Sequence, residues 1–102
     1  MEQARPYIGE KAIKNKVELS GTSSGKYTCN FESGNLQIWL RGDGFNACII
    51  IPCGYDIMAI MVSKIDKGLP IEVTGKLVTN STYGVLILAS YVRLGDMEWE
   101  IE

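Results

Sequence analysis

One short stretch of the sequence combines an aromatic, an amide and a cationic side chain at alternate positions. Apolar and polar residues alternate from 36 to 41, which indicates a β-strand whose successive side chains point to opposite faces. The apolar face holds Leu36, Ile38 and Leu40, and the solvent face holds Gln37, Trp39 and Arg41. An exposed indole can stack on a flat ring such as a nucleobase while a neighbouring guanidinium contacts a phosphate. The alternative is that Trp39 packs beneath a loop or in a subunit contact.

Four other aromatic residues are candidates for the same stacking chemistry. Phe45 begins the strand that follows the turn Gly42-Asp43-Gly44, and Tyr83 lies in a predicted hairpin loop between the last two long strands. Each of these two is equally well explained as an anchor of its own loop. Tyr27 and Phe31 share a predicted strand face with Cys29, a position at which aromatic residues more often belong to a core.

Phosphate contacts need cationic side chains near these rings. The candidates, besides Arg41, are Lys14, Lys16, Lys26 and Lys76. A single lysine is usually an ordinary solvated charge, so the argument depends on clustering. Residues 11–41 contain five basic and two acidic side chains, a local charge of +3.

The composition excludes several classes of function. The 102 residues, 46% hydrophobic and 22% charged, predict one globular domain. The net charge of −2 excludes a polycationic nucleic-acid binder, although residues 1–94 carry ten basic and eight acidic side chains and residues 95–102 carry four acidic ones. There is no histidine, which excludes Ser-His and Cys-His nucleophile pairs within one chain and histidine-ligated zinc. We therefore expect no catalytic residues.

The three cysteines, Cys29, Cys48 and Cys53, cannot all pair within one chain. Together with an N-terminus that lacks the apolar segment of a signal peptide, this count predicts a reduced, cytoplasmic protein. Cys48 and Cys53 do not have metal-site spacing, so we expect no metal and no cofactor. The longest apolar run, 47–52, is far too short to span a membrane.

The elements that must position these residues are mostly strands. Period-2 patterns predict a bent first strand from residue 15 to 31 with a break at 21–25, then strands at 36–41, 45–53, 71–78 and 85–94. A helical pattern lies between the third and fourth strands, with Asp56 as a plausible N-cap and Gly68 just beyond its end. This order predicts an all-β fold, the OB-fold, a five-stranded Greek-key barrel with one helix between strands 3 and 4. The predicted organisation is an arm (1–12), a domain (13–94) and an acidic tail (95–102).

The tail alternates apolar with acidic residues: Met97, Trp99 and Ile101 with Glu98, Glu100 and Glu102. The pattern fits a sixth strand packed on the barrel or on a neighbouring subunit. It also fits a mobile acidic peptide that competes with DNA or binds a partner protein.

Three segments resemble the single-stranded-DNA-binding protein family of the bacterial and phage type. Residues 15–21, NKVELSG, resemble the family's opening strand; residues 49–54, IIIPCG, resemble its third strand; and residues 67–77, KGLPIEVTGKL, resemble its most distinctive stretch. The match spans residues 15–94, but Cys53 replaces the usual aromatic and the long C-terminal linker is absent. Phe45 lies near a position where the family carries a stacking aromatic.

The resemblance implies non-sequence-specific binding of single-stranded DNA in replication, recombination or repair, and assembly into a homodimer or homotetramer. The apolar run 48–52, which predicts burial on both strand faces, also favours a homo-oligomer. An acidic C-terminal tip would recruit replication or repair proteins. Two alternatives stay open from the residues: an OB-fold protein-interaction module of a replication or primosome complex, and a single-stranded RNA binder.

Overall fold

The computed structural model describes residues 15–82 and 84–101. These residues form six strands and one helix, in the order β1 (Val17–Asn30), β2 (Asn35–Arg41), β3 (Asn46–Pro52), α1 (Gly54–Val62), β4 (Pro70–Asn80), β5 (Gly84–Leu94) and β6 (Met97–Glu100). The predicted arm, Lys14 and Tyr83 lie outside the described residues.

β1 is one long strand that belongs to both halves of the barrel. Its residues 17–22 pair with β4 and its residues 22–30 pair with β2, both antiparallel. A register shift between Ser23 and Tyr27 bends it, where the sequence predicts a break. Gly21 marks the crossing, because a Cβ there would lie 2.2 Å from the carbonyl oxygen of Arg41. The predicted bent first strand with a central glycine is confirmed.

The sheet closes on itself. The strand order is β3-β2-β1-β4-β5-β6, and β3 also pairs with β5 in parallel through Ile49 with Ile87 and Ile50 with Leu88. Strands β1–β5 therefore form a closed barrel with one helix between β3 and β4. This confirms the predicted OB-fold.

The barrel interior is filled by aliphatic side chains from β2, β3, β4 and β5 and by two methionines and an isoleucine from α1 and the segment after it, and Val17, Leu19 and Cys29 of β1 pack against them partly buried. These buried residues are Leu36, Ile38, Leu40, Ile49, Ile51, Met58, Met61, Ile65, Ile71, Val73, Ile87, Ala89, Val92 and Leu94. The alternation that predicts the apolar face of β2 is therefore correct at all three positions.

The helix boundaries differ from the prediction. α1 begins at Gly54 with Cys53 at the N-cap, which forms no side-chain cap hydrogen bond, and it ends before Ser63. Gly54 has φ +80°, so the chain can turn directly from β3 into the helix, and its N–H donates to the carbonyl oxygen of Gly34 at 2.9 Å. Asp56 consequently lies inside the first turn, where its charge favours the helix dipole, and is not the N-cap.

The residues after β5 form a strand. β6 pairs antiparallel with β5, with Val92 opposite Trp99 and Tyr91 opposite Glu100. Trp99 and Ile101 are partly buried against the core. No helix in the described ranges is long and apolar enough to cross a membrane.

Candidate nucleic-acid interface

The outward residues of β2 and β3 form one surface with part of β1. In the β2–β3 ladder Gln37 lies opposite Ile50, Trp39 opposite Cys48 and Arg41 opposite Asn46. Directly opposed residues of an antiparallel pair point to the same side of the sheet. We call this surface the Trp39 face and define it by Lys26, Gln37, Trp39, Arg41, Asn46, Cys48 and Ile50. Trp39 is half-buried on it, and its neighbours Ile38 and Leu40 are fully buried on the other side.

A groove of about 450 Å³ runs along the Trp39 face beside the indole. Its lining residues are Ser24, Lys26, Trp39, Leu40, Arg41 and Asn46. Ser24 and Lys26 reach it because the register shift of β1 falls opposite Trp39. The lining contains two cations and no carboxylate, and neither Lys26 nor Arg41 forms a salt bridge within residues 15–82 and 84–101. The charged side chains of the described lining are therefore all positive, and they lie next to an aromatic ring.

Gln37 and Cys48 are fixed to each other on this face. The Nε2 of Gln37 donates a hydrogen bond to the Sγ of Cys48 at 2.9 Å. Burial raises the pKa of the Cys48 thiol, and the hydrogen bond from Gln37 partly opposes this shift. The thiol is therefore protonated at neutral pH and is a poor nucleophile.

Barrel closure links the Trp39 face to two other candidate lysines. Gln37 lies opposite Ile50, Ile50 opposite Leu88, and Leu88 opposite Lys76, which makes one row across β2, β3, β5 and β4. Three inter-strand steps separate Gln37 from Lys76, about 14 Å in all. The two middle residues of the row are half-buried and apolar.

Lys76 and Lys16 line a second groove of about 470 Å³, which also includes Leu88. We call it the Lys76 groove. Asn15 fixes the chain beside it, because its side chain exchanges two hydrogen bonds with the backbone of Leu77, at 2.8 and 2.9 Å. Lys16 also lies 3.5 Å from the carboxylate of Glu18, an exposed ion pair of little energetic weight. The predicted cations within the described residues thus fall into two groups, Lys26 and Arg41 on the Trp39 face and Lys16 and Lys76 at the Lys76 groove.

Phe45 lies at the end of the same hairpin but does not line the groove. The N–H of Gly42 donates to the carbonyl oxygen of Phe45 at 2.8 Å, which closes the β2–β3 turn. A Cβ at Gly42 would collide with the ring of Phe45, so the ring lies directly over this glycine. Phe45 remains 38% exposed, and its predicted contact with nucleic acid stays a prediction.

Tyr27 and Phe31 are not brought to the Trp39 face. Tyr27 lies opposite Ile38, so its side chain shares the core side of the sheet, yet it is 43% exposed. Phe31 follows β1 and stacks on Tyr55 of α1, with ring centroids 6.5 Å apart and planes inclined by 16°. The sequence does not predict that Tyr55 contacts Phe31, because this contact depends on how the β1–β2 turn packs on the helix.

The outer surface of the other half of the barrel carries the opposite charge. Two rows of paired residues cross β1, β4, β5 and β6 there. The first row is Glu18, Thr74, Tyr91 and Glu100, and the second row is Ser20, Glu72, Arg93 and Glu98. We call this the acidic face. Burial raises the pKa of Tyr91, and the nearby Glu98 and Glu72 carboxylates raise it further.

A larger groove of about 820 Å³ lies between the Trp39 face and the acidic face. Its lining contains two positive and two negative side chains, so their charges cancel: Arg41, Arg93, Asp43 and Glu72.

The described residues contain no group of three potential metal ligands among cysteine, aspartate and glutamate. The three cysteines are free thiols. No feature of the described residues therefore points to a metal or a cofactor on the Trp39 face.

Comparisons with known proteins add evidence on the fold. No family model matches the chain, and a search of curated proteins finds no match. Two solved structures of asparaginyl-tRNA synthetase from Pyrococcus horikoshii, one of them complexed with asparaginyl-adenylate, are similar with a TM-score of 0.62 and 13% sequence identity. The match covers 78% of this chain but only 18% and 19% of the synthetase chains. At this identity the likeness shows a shared fold alone, and that fold is the OB-fold described above.

Proposed function

We propose that this chain binds single-stranded nucleic acid on the Trp39 face, with single-stranded DNA as the principal ligand and without sequence preference. One observation carries the proposal: the half-buried indole of Trp39 lines an open groove together with two cations, Lys26 and Arg41, which form no salt bridge within the part of the chain that the structure describes, and the described lining has no carboxylate. OB-folds bind oligonucleotides through the surface of strands 2 and 3, which is where this groove lies.

The residues of the face have distinct roles in this proposal. A base stacks on Trp39, which contributes about 1–3 kcal/mol. Lys26 and Arg41 contact the phosphates on either side of that base. Ile50 and Leu88 offer apolar surface to the next nucleotides, and the strand continues toward Lys76. Stacking and phosphate contacts tolerate any base, so specificity for sequence is not expected.

The proposal describes a binding protein and not an enzyme. The sequence has no histidine, and the only thiol on the Trp39 face, Cys48, has a raised pKa. The resemblance to single-stranded-DNA-binding proteins extends the proposal to a cytoplasmic role in replication, recombination or repair. A homodimer or homotetramer would multiply the few nucleotides that one fold contacts, and sedimentation equilibrium measures this state directly.

Fluorescence titration tests the function. The full chain is titrated with oligo(dT), and separately with oligo(U) of equal length, at 50 and 200 mM NaCl. We expect quenching of tryptophan emission that saturates, tighter binding of oligo(dT), and weaker binding at the higher salt. Tighter binding of oligo(U) would assign the face to RNA, and the absence of binding to both at 50 mM NaCl would refute the proposal.

Because the chain has a second tryptophan, the site of quenching needs its own control. Trp99 packs against the core, so the Trp99→Phe variant reports on Trp39 alone and the Trp39→Phe variant reports on Trp99 alone. We expect quenching to persist in Trp99→Phe and to disappear in Trp39→Phe. The reverse result would place the ligand at β6 and not on the Trp39 face.

A further inference from the structure

A second aromatic surface lies apart from the Trp39 face, at the α1 end of the barrel. Phe31 is 69% exposed and Tyr55 is 55% exposed although their rings stack on each other. Ala59 follows Tyr55 by one helical turn and is exposed, and the neighbouring Ile60 is 42% exposed. We call these four residues the Phe31–Tyr55 patch. Exposed apolar residues grouped at one end of a barrel mark interaction sites more often than scattered single residues do.

The patch is held in place before any partner binds. The Tyr55 hydroxyl donates a hydrogen bond to the carbonyl oxygen of Phe31. The side chain of Asn30 accepts hydrogen bonds from the N–H groups of Glu32 and Ser33, at 3.0 and 3.2 Å, which fixes the turn. A surface that is already ordered loses little conformational entropy on binding.

The charge around the patch selects the partner. Glu32 follows Phe31, Asp56 follows Tyr55, and both are exposed. Residues 30–34 and 53–60 contain no lysine or arginine. A nucleic-acid backbone would therefore be repelled here, and a second copy of the patch would bring like charges together. A cationic ligand gains attraction from both the carboxylates and the π faces of the rings.

We infer that the Phe31–Tyr55 patch binds a basic segment of another protein in which arginine alternates with an apolar residue. A guanidinium is planar, stacks on aromatic rings and pairs with carboxylates, so it matches the rings together with Glu32 and Asp56 better than an ammonium does. The apolar residue of the segment packs on Ala59 and Ile60. Because the patch and the Trp39 face are separate, the protein can hold a nucleic acid and a basic partner at the same time.

Chemical-shift mapping tests the inference on the ¹⁵N-labelled full chain. The probe is an acetylated, amidated peptide of sequence Gly-Arg-Leu-Arg-Leu-Arg-Gly, and its control replaces each arginine with glutamine. We expect the arginine peptide to shift the backbone amides of residues 31–34 and 54–60 in a saturable way, at least five-fold more tightly than the control. Equal binding of the control, or shifts confined to the Trp39 face, would overturn the inference.

A double variant tests the carboxylates of the patch without removing its aromatic rings. The double variant Glu32→Gln/Asp56→Asn keeps both rings and the turn, and we expect it to bind the arginine peptide at least five-fold more weakly. Trp39→Ala is expected to bind the peptide unchanged. If the double variant binds as tightly as the original chain, or if oligo(dT) shifts the same amides and the peptide displaces it, the patch is not a site for basic partners. Neither result depends on whether the Trp39 face binds DNA.

Discussion

Gln37 and Cys48 are joined across β2 and β3 by a hydrogen bond from the amide Nε2 to the thiol Sγ, 2.9 Å long. Cys48 is also the residue directly opposite Trp39. The bond therefore holds the amide of Gln37 beside the indole and restricts the rotamers of two neighbours of Trp39. Such restriction lowers the entropic cost of stacking a base on the ring.

Replacing Trp39 with alanine is expected to weaken oligo(dT) binding by about 1–3 kcal/mol, roughly 5- to 150-fold, because the stacking surface is lost. Fluorescence anisotropy of a labelled oligonucleotide measures the change without relying on tryptophan emission. Tyr55→Ala is the matched control, since Tyr55 is an exposed aromatic of α1 that does not line the groove. Equal losses in the two variants would mean that Trp39 has no special role.

Removing the charge of Lys26 or Arg41 should reduce the salt dependence of binding. Each phosphate contact contributes about 0.7 to the slope of log K against log salt for a single strand. The variants Lys26→Gln and Arg41→Gln are each expected to lower this slope by about that amount. Lys67→Gln is the control, because Lys67 lines neither the groove beside Trp39 nor the Lys76 groove. An unchanged slope in all three variants would show that these cations do not contact phosphates.

The Cys48 thiol should react slowly and should make stability depend on pH. Folding raises its pKa, mainly through burial, so the unfolded chain loses this proton at a lower pH than the folded chain. The contribution of Cys48 to the free energy of unfolding is therefore constant near neutral pH. It falls as the pH rises through about 8.5 and above, where the unfolded chain loses the thiol proton first. Urea unfolding between pH 7 and 10 measures the fall, and Cys48→Ser should make it smaller. A steeper fall in the variant would contradict the assignment.

Trp99→Ala should destabilise the barrel, because the indole packs against the core from β6. Full truncation of a buried tryptophan costs about 3–5 kcal/mol, so a half-buried one is expected to cost about 2 kcal/mol. Met97→Ala, at the exposed end of the same strand, should cost far less. Urea unfolding at neutral pH measures both. If Trp99→Ala leaves stability unchanged but tightens DNA binding, the segment acts as a mobile competitor and not as a strand.

The sequence predicts β2, β3, β4 and β5 well because each of these strands has one buried face. The alternation in β2 identifies its three core residues, and the same alternation places Trp39 outside. What alternation cannot predict is contact between elements far apart in the chain. The row from Gln37 to Lys76 exists only because β3 pairs with β5, and that pairing has no local signal.

Local exceptions also limit the prediction. Capping preference points to Asp56, yet the chain enters α1 two residues earlier because Gly54 adopts a positive φ. The pairing of Phe31 with Tyr55 depends on the same junction, since the N–H of Gly54 donates to Gly34 in the turn that follows Phe31. The assignment of Phe31 to nucleic acid therefore stays a prediction that the local charge does not favour.

The opposite charges of the Trp39 face and the acidic face give the barrel an electric dipole moment. In the field of a polyanionic strand, such a molecule rotates during diffusion so that Lys26 and Arg41 lead and Glu72 and Glu98 trail. For the proposed ligand, productive collisions would then become more frequent although the net charge is only −2. The orientation is set while the two molecules are still a Debye length apart, so dissolved salt slows the encounter itself.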